Sequence, residues 1–417
     1  MILSAGSWRW QSLLLLLWGW FSPAAGVEID ARVKVFGAGA ALIDTDAQRL
    51  QDGTPAYDYT ADTRLMLSHE SGNFTWLAHH STIVAGGDSY GFQVNSGAVL
   101  DQAVTNDDRR LMDLTWVLDS GASHQLLHRI DRMAMQYNGT SWGLTVGRQA
   151  VSWGNGQVFQ PMDLFSPFAP TTVDRDYKSG DDLILLDKLF SDGSDLQLLA
   201  VARRDFEGDV SHRASSAAAK WHRFVGSGEL ELVGGQHYED QVFGVSWRMP
   251  LGGALLRSDI IATRLDEGDW KVSGILNLDY SFTVNERVAY VAAEYYHNDF
   301  GVKSLPLTPL ALPDPLTERL ARGEVFNLMR DYLALTGNLE WHALWNQSLT
   351  LITNLHDGSA LVQSQLTYDL NDHSRADAGV VLSLGRAGEE FGGVPLAGDA
   401  LTSGGAIQGY LRWVYYF

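Results

Sequence analysis

The residues of this chain that could do chemistry are charged side chains, spread along short alternating segments and one loop. The candidates on alternating segments are Arg32, Lys34, His128, Arg132, Arg148, Lys271, Asp279 and Glu294, and those on the loop are Asp163, Asp174, Arg175, Asp176 and Lys178. Ordered charges along a water-filled passage decide which ions pass through it. We therefore predict that these residues line and narrow a pore. Mutual neutralisation among the many acids is the alternative.

Catalysis is less favoured by the sequence. The pairs that could belong to a hydrolytic site are His79-His80, His297 with Asn298-Asp299, and His356-Asp357, but no serine elbow or zinc-type histidine motif accompanies them. The absence of cysteine removes thiol chemistry and covalent haem attachment. Acid clusters such as Asp181-Asp182 lack the spacing of a calcium loop. We expect no catalytic residue, no metal and no cofactor.

The elements that must position these charges are β-strands. Between Trp270 and Phe282, one parity is apolar with an aromatic residue at each end, and the other is largely polar. Between Glu28 and Val35, charged residues alternate with apolar ones. A strand whose one face meets lipid and whose other face meets a wet lumen has this pattern. Similar alternation occurs at 111–118, 196–202, 241–247, 289–295, 348–354 and 361–368.

The C-terminus carries the same pattern to its last residue. Leu411, Trp413, Tyr415 and Phe417 share one parity, which gives an apolar, aromatic-ended face. This ending is typical of bacterial outer-membrane barrels, where it also serves as a membrane-insertion signal. The predicted fold class is all-β, a transmembrane antiparallel up-and-down β-barrel.

The N-terminus and the overall charge agree with an exported protein. Residues 1–26 combine Arg9, an apolar core and small residues before a plausible cleavage point, as in a secretory signal peptide. After them no run of eighteen apolar residues occurs, which excludes a spanning helix. The net charge of −20 argues against nucleic-acid binding. We predict that 27–417 is a single barrel domain in the bacterial outer membrane.

Turn residues divide the chain into about 18 strands, with 16 to 20 tolerable, and an even number places both termini in the periplasm. Long connections are expected at 41–59, 153–180, 298–326 and 386–405, whereas a strand within 83–108 is uncertain. The 153–180 loop carries many apolar residues and prolines. It should fold inward against the lumen wall, where its apolar side chains are sheltered.

Arg148 conflicts with the strand pattern. It shares parity with Trp142, Leu144 and Val146, which would place it in lipid at a cost of about 2–4 kcal/mol. A β-bulge near Gly147 could turn it inward. We favour an inward Arg148 held by a loop carboxylate such as Asp163 or Asp174, either as a loop tether or as a solute contact.

Three segments carry a resemblance to a known group: His128 to Arg132, the run Gly147-Arg148-Gln149 to Gly156, and Pro161 to Phe168 followed by Asp174 to Tyr177. They resemble the largely uncharacterised porin-like outer-membrane barrels of Gram-negative bacteria. More distantly they are similar to alginate-export and domain-of-unknown-function barrels. The resemblance covers about 60 residues and implies a single-chain channel without catalytic residues.

The resulting prediction is a monomeric channel for passive diffusion of small solutes. Its partners would be outer-membrane lipids, lipopolysaccharide and the barrel-assembly machinery. A barrel that sheaths a periplasmic or electron-transfer partner is the main alternative, followed by an outer-membrane enzyme.

Overall fold

Eighteen antiparallel strands close into a ring in the computed structural model of the chain, which describes residues 26–96, 107–173 and 177–417. The ring closes because β1 pairs with β2 on one edge and with the last strand, β21, on the other. A nineteenth strand of the sheet, β4, lies beside β5. The strands of the sheet are β1 Val27–Ala41, β2 Ala56–Ser71, β3 Phe74–Gly87, β4 Thr115–Ser120, β5 His124–Asn138, β6 Trp142–Gln149, β7 Asp181–Leu189, β8 Asp195–Val201, β9 Ser216–Val225, β10 Gly228–His237, β11 Asp240–Leu251, β12 Ala254–Arg264, β13 Trp270–Val284, β14 Arg287–Asn298, β15 Asp331–His342, β16 Trp345–Asn354, β17 Ala360–Asn371, β18 Ser374–Leu384 and β21 Ile407–Tyr416.

Smaller elements lie in the connections. The helices are α1 Ala47–Asp52, α2 Asp88–Ser96 and α3 Asp314–Arg322, a 3-10 turn covers Pro309–Ala311, and β19 Val394–Pro395 pairs with β20 Thr402–Ser403. None of the helices in the described ranges is long and apolar enough to cross a membrane. The predicted signal peptide lies outside the described residues, apart from Gly26.

The alternation expected from the sequence appears as two faces of the wall. On β13, Trp270, Leu276 and Tyr280 are exposed, whereas Asn277 and Asp279 between them are buried. Successive side chains of a strand point to opposite faces. The exposed apolar face is therefore the outside of the barrel, and the buried face lines its interior.

The two ends of the barrel differ in their connections. At one end the strands are joined by short turns, such as those at 72–73, 226–227, 252–253 and 285–286, and the start of β1 and the end of β21 lie at this end. At the other end the connections include 42–55, 88–123, 150–180, 202–215, 299–330 and 385–406. The predicted strand number and the four predicted long connections are confirmed. The length of the 88–123 and 202–215 connections was missed.

One section of the wall is built from loop. One edge of β5 pairs with two different strands. Residues 133–138, near the short-turn end, pair with β6, and residues 125–129 pair with β4. Strands β6 and β7 are only eight and nine residues long, and the 107–120 segment continues the wall above them. The strand predicted to begin at Leu111 therefore begins only at Thr115, because 107–114 is held by side-chain contacts instead of a ladder.

Candidate solute pathway

The 150–180 segment lies against the inner face of the wall. The Phe159 ring stacks on Tyr296 of β14 with 4.4 Å between ring centroids. Met162 and Phe165 are buried against inward residues of β7 to β12, among them Val242 and Ile261. Burial of these side chains holds the segment to one side of the interior.

Two buried wall carboxylates anchor the backbone of this segment. Glu294 accepts hydrogen bonds from the backbone N–H groups of 157–159 at 3.0, 3.1 and 2.7 Å. Asp259 accepts from the backbone N–H groups of Asn155 and Gly156 at 2.7 and 3.1 Å. Carboxylates that accept several N–H bonds satisfy otherwise costly buried groups. Glu294, predicted as a pore charge, thus contacts the loop backbone.

The far part of the segment is closed by a buried ion pair. The Lys178 ammonium lies 2.5 Å from Asp163, and it also donates to the Val151 carbonyl and the Ser152 hydroxyl. Burial raises the pKa of Asp163 and lowers the pKa of Lys178, because each charged form loses hydration. The short contact between the two groups offsets that loss.

The opposite side of the interior carries a row of arginines. Arg32 of β1 is directly across from Arg64 of β2, Arg64 from Ser81 of β3, and Ser81 from Arg129 of β5. All four side chains are buried, the arginines at 5 to 6% exposure. Arg132 of β5 lies next to this row, because its guanidinium and that of Arg64 face the same Tyr177 ring. Residues paired across antiparallel strands share a face. The arginines therefore form a continuous band across four strands.

The carboxylates near this band leave part of the guanidinium nitrogens without acceptors. Arg64 pairs with Asp131, and Asp62 lies 3.6 Å from Arg64 and 3.9 Å from Arg32. The buried Nε atoms of Arg32, Arg64, Arg129 and Arg132 have no hydrogen-bond partner among the described residues. A buried donor without an acceptor is costly, so this band can accept an anion.

Tyr177, at the end of the inward segment, reaches this band. Its ring centroid lies 3.6 Å from the Arg64 guanidinium carbon, 4.4 Å from that of Arg132 and 5.6 Å from that of Arg32. Its hydroxyl contacts Nδ1 of His79. The inward segment thus contacts both sides of the interior.

Arg148 has a different environment from the one predicted. It is fully buried and binds Asp182 through Nε and Nη2 at 2.8 and 3.0 Å, and Asp107 through Nη1 at 2.8 Å. It also donates to the Met112 carbonyl. The predicted partner Asp163 is wrong, since Asp163 binds Lys178 instead, and Asp174 lies outside the described residues. Arg148 therefore links the 107–114 segment to β6 and β7, at the ends of these strands that adjoin the 150–180 connection.

The expected bulge lies on the neighbouring strand. The ladders of β6 show no register shift at Gly147, but the pairing of β3 with β5 shifts between His79 and His80. Gly147 has φ +126°, and a Cβ there would lie 2.2 Å from the Met133 carbonyl oxygen. Only glycine fits this close approach of β6 to β5.

The remaining predicted site residues are distributed as follows. Asp279 lies on the inner face of β13 and pairs with Arg257, and Lys34 and Lys271 share the inward parity of their strands. The lumenal position predicted for His128 is wrong: it faces outward, stacks on Trp116 at 5.0 Å and contacts His80. Asp174, Arg175 and Asp176 lie outside the described residues.

Sequence reasoning missed Arg64, Arg129, Asp259, Tyr177 and Arg412. Arg64 and Asp62 alternate with the exposed Thr63 and Leu65, a signal that could have placed them inward. Arg412 shares the non-lipid parity of β21 and binds Asp377 at 2.8 Å. No local signal marks Tyr177, since its arginine contacts come from three different strands.

Comparison with known proteins identifies solved structures of the same fold. No family model matches the chain, and no curated protein matches it. OccAB3 of Acinetobacter baumannii is 11% identical, with a TM-score of 0.51 over 94% of this chain and 99% of that one. OpdK of Pseudomonas aeruginosa, solved with vanillate, is 10% identical, with a TM-score of 0.53 over 94% and 98%. OccK5 (OpdH) of the same species is 9% identical, with a TM-score of 0.54 over 94% and 98%. At such identities the likeness shows the barrel fold.

Proposed function

We propose that this chain is an outer-membrane channel through which small solutes diffuse passively. The observation that carries the proposal is the closed wall with an apolar outside and, inside, a band of buried arginines whose Nε atoms have no acceptor in the part of the chain that the structure describes. The inward segment covers the other side of the interior and narrows the route. Its loop contacts and the wall charges would set selectivity.

Small carboxylates are the solutes that fit this interior. A guanidinium presents planar N–H donors that match a carboxylate, and the band offers several of them side by side. The structural neighbour OpdK was solved with vanillate, which is itself a carboxylate. A preference for anions follows from the band itself, whose four arginines exceed the two carboxylates, Asp62 and Asp131, that contact them among the described residues.

The setting of the channel belongs to the same proposal. Residues 1–26 would direct export and be cleaved, and both termini would lie in the periplasm. The outward residues of the last strand, Leu411, Trp413, Tyr415 and Phe417, would be read by the barrel-assembly machinery and then contact lipid. Lipid and lipopolysaccharide would surround a monomer without cofactor or catalytic activity. We also propose a distant relationship to alginate-export barrels.

Conductance in a planar bilayer tests the function. The purified protein should give discrete ionic currents, and a salt gradient should give a reversal potential of the sign expected for anion selectivity. A barrel that sheaths a partner would insert without conducting. A silent insertion would therefore overturn the channel and favour the conduit.

Deletion of residues 157–172 tests the role of the inward segment. The deletion removes the loop backbone held by Glu294 and should raise the single-channel current severalfold. Deletion of the exposed residues 206–209, in another connection at the same end, is the control and should leave the current unchanged. Equal currents for the two deletions would contradict a constriction at this segment.

A further inference from the structure

The contact between Tyr177 and the arginine band is unusual because three cations face one ring. The Arg64 guanidinium carbon is 3.6 Å from the ring centroid, and those of Arg132 and Arg32 are at 4.4 and 5.6 Å. A guanidinium within about 6 Å of a ring centroid is attracted by the ring quadrupole. The Tyr177 ring thus fills a cage lined by guanidinium groups.

The barrel wall and the backbone of Lys178 position this cage without the Tyr177 ring. Arg32 and Arg64 are paired across β1 and β2, and Arg64 is also held by Asp131. Arg132 donates to the Lys178 carbonyl at 3.1 Å. The cations should therefore keep their places when the ring is removed, and the cage would persist as a binding site.

The Tyr177 ring offers its π-face to the three guanidinium groups but carries no negative charge to neutralise them. Burial, with a further contribution from the nearby Asp131, raises the pKa of Tyr177 above its ordinary value, so the ring is a neutral phenol. The Nε atoms of all three arginines have no hydrogen-bond partner within the described ranges. A ligand that offered both a flat ring and a carboxylate would fit the cage better than the phenol does.

We propose that Tyr177 occupies, from within the chain, a subsite for the ring of an aromatic carboxylate, and that it limits the affinity of the channel for such solutes. This inference rests on the proposed function, because it identifies the solute class that the arginine band would favour. An aromatic carboxylate must compete with the Tyr177 ring for Arg64 and Arg132. An aliphatic carboxylate, which uses only the charge, does not compete for the ring position.

Tyr177→Ala tests this competition with a matched pair of probes. Benzoate and cyclohexanecarboxylate have the same charge and similar size, but only benzoate is flat and aromatic. In Tyr177→Ala the concentration of benzoate that blocks half of the current should fall about tenfold, the size expected for a partly desolvated cation–π contact. The value for cyclohexanecarboxylate should change little. Equal shifts for both probes, or no shift for benzoate, would overturn the inference.

Two further variants separate a ring subsite from general loosening of the segment. Tyr177→Phe keeps the ring and loses the hydroxyl contacts with His79 and Arg64, so benzoate should remain as weak as in the wild type. Phe168→Ala removes a ring elsewhere in the same segment and should leave the ratio of the two blocking concentrations at its wild-type value. A gain for benzoate in Phe168→Ala would assign the effect to loosening and reject the subsite.

Binding to the detergent-solubilised protein distinguishes failure of this inference from failure of the proposed function. Calorimetry with benzoate reports the subsite whether or not the barrel conducts. If the protein does not conduct in the bilayer but Tyr177→Ala still binds benzoate more tightly than the wild type, the channel is rejected and the subsite is kept. Conduction with no calorimetric difference between the variants would reject the subsite and keep the channel.

Discussion

The two sides of the barrel interior differ in whether their buried charged groups have hydrogen-bond partners. On the loop-bearing side, Asp259 and Glu294 together accept five backbone N–H bonds from residues 155–159. On the arginine side, the buried Nε atoms of four arginines have no acceptor among the described residues. Satisfied buried polar groups specify a structure, whereas unsatisfied ones are costly and are retained where they do something else. The first side therefore holds the fold, and the second is the candidate for solute contact.

Arg148 sharpens this contrast, because it is an arginine of the satisfied kind. Arg148→Gln should lose the bonds to Asp182 and Asp107 and leave the buried Asp182 without its cation, a cost of about 3–5 kcal/mol, whereas Asp107 keeps Arg110. The folded fraction, measured by the shift of the unheated band in gel electrophoresis, should drop strongly. Ion selectivity of the molecules that do fold should stay at the wild-type value. A selectivity change at full folded yield would place Arg148 among the pore residues instead.

Glu294 tests the loop-bearing side. Glu294→Ala leaves three buried backbone N–H groups without acceptors, and each such group costs about 1–3 kcal/mol. The inward segment should detach, so that open-channel current rises and its noise increases. Glu340→Ala, at an exposed position of β15, is the matched control and should behave as the wild type. An unchanged current in Glu294→Ala would mean that burial of Phe159 and Met162 alone holds the segment.

Arg64 tests the opposite side. Arg64→Gln removes the cation nearest the Tyr177 ring, and folded yield should change less than in Arg148→Gln, because Arg64 donates to one carboxylate whereas Arg148 donates to two. The concentration of acetate that halves the chloride current should rise about tenfold, since hydrogen bonds to charged groups contribute about 1.5–3 kcal/mol. Arg287→Gln, at the first residue of β14 beside the short turns of the barrel, is the control variant. Equal acetate affinity in both variants would contradict an anion site in the band.

The sequence predicts the wall well, because period-two alternation is local. The strands at 196–202, 241–247, 270–282 and 289–295 follow directly from the pattern and are confirmed. Arg148 is harder, because its partner Asp107 belongs to a segment that replaces part of the wall, while its partner Asp182 lies across from it on β7. Nothing local to Arg148 reveals that a distant loop covers it.

The arginine band could be predicted only in part. Arg32 and Arg132 were identified as interior candidates, but their alignment with Arg64 and Arg129 depends on the register of four strands. Register is set by pairing across the sheet and not by any single strand. His128 was misplaced for the same reason, since the extra residue in β5 near Asp131 reverses the face that a simple alternation assigns.

The smallest expected effect concerns a third buried carboxylate, Glu390, in the 385–406 connection. It accepts bonds from the backbone N–H of Leu328 at 2.7 Å, the Tyr332 hydroxyl at 2.6 Å and the Asn354 amide at 2.7 Å. Burial, with a smaller contribution from Asp357, raises the pKa of Glu390 to about 7. Unlike Glu294, it belongs to a connection at the rim, so its ionisation should affect docking of one loop and not the barrel.

The sign of the pH effect follows from the raised pKa of Glu390. The docked state binds the proton more tightly than the undocked state, so docking is most stable below the ordinary glutamate pKa of 4.5 and weakens as the pH rises toward 7. Proteolysis within 385–406 should therefore be faster at pH 8 than at pH 5.5. Glu390→Gln, which stays neutral, should remove this difference, whereas Glu389→Gln at the neighbouring position should keep it. If Glu390→Gln keeps the same pH dependence, the titrating group lies elsewhere.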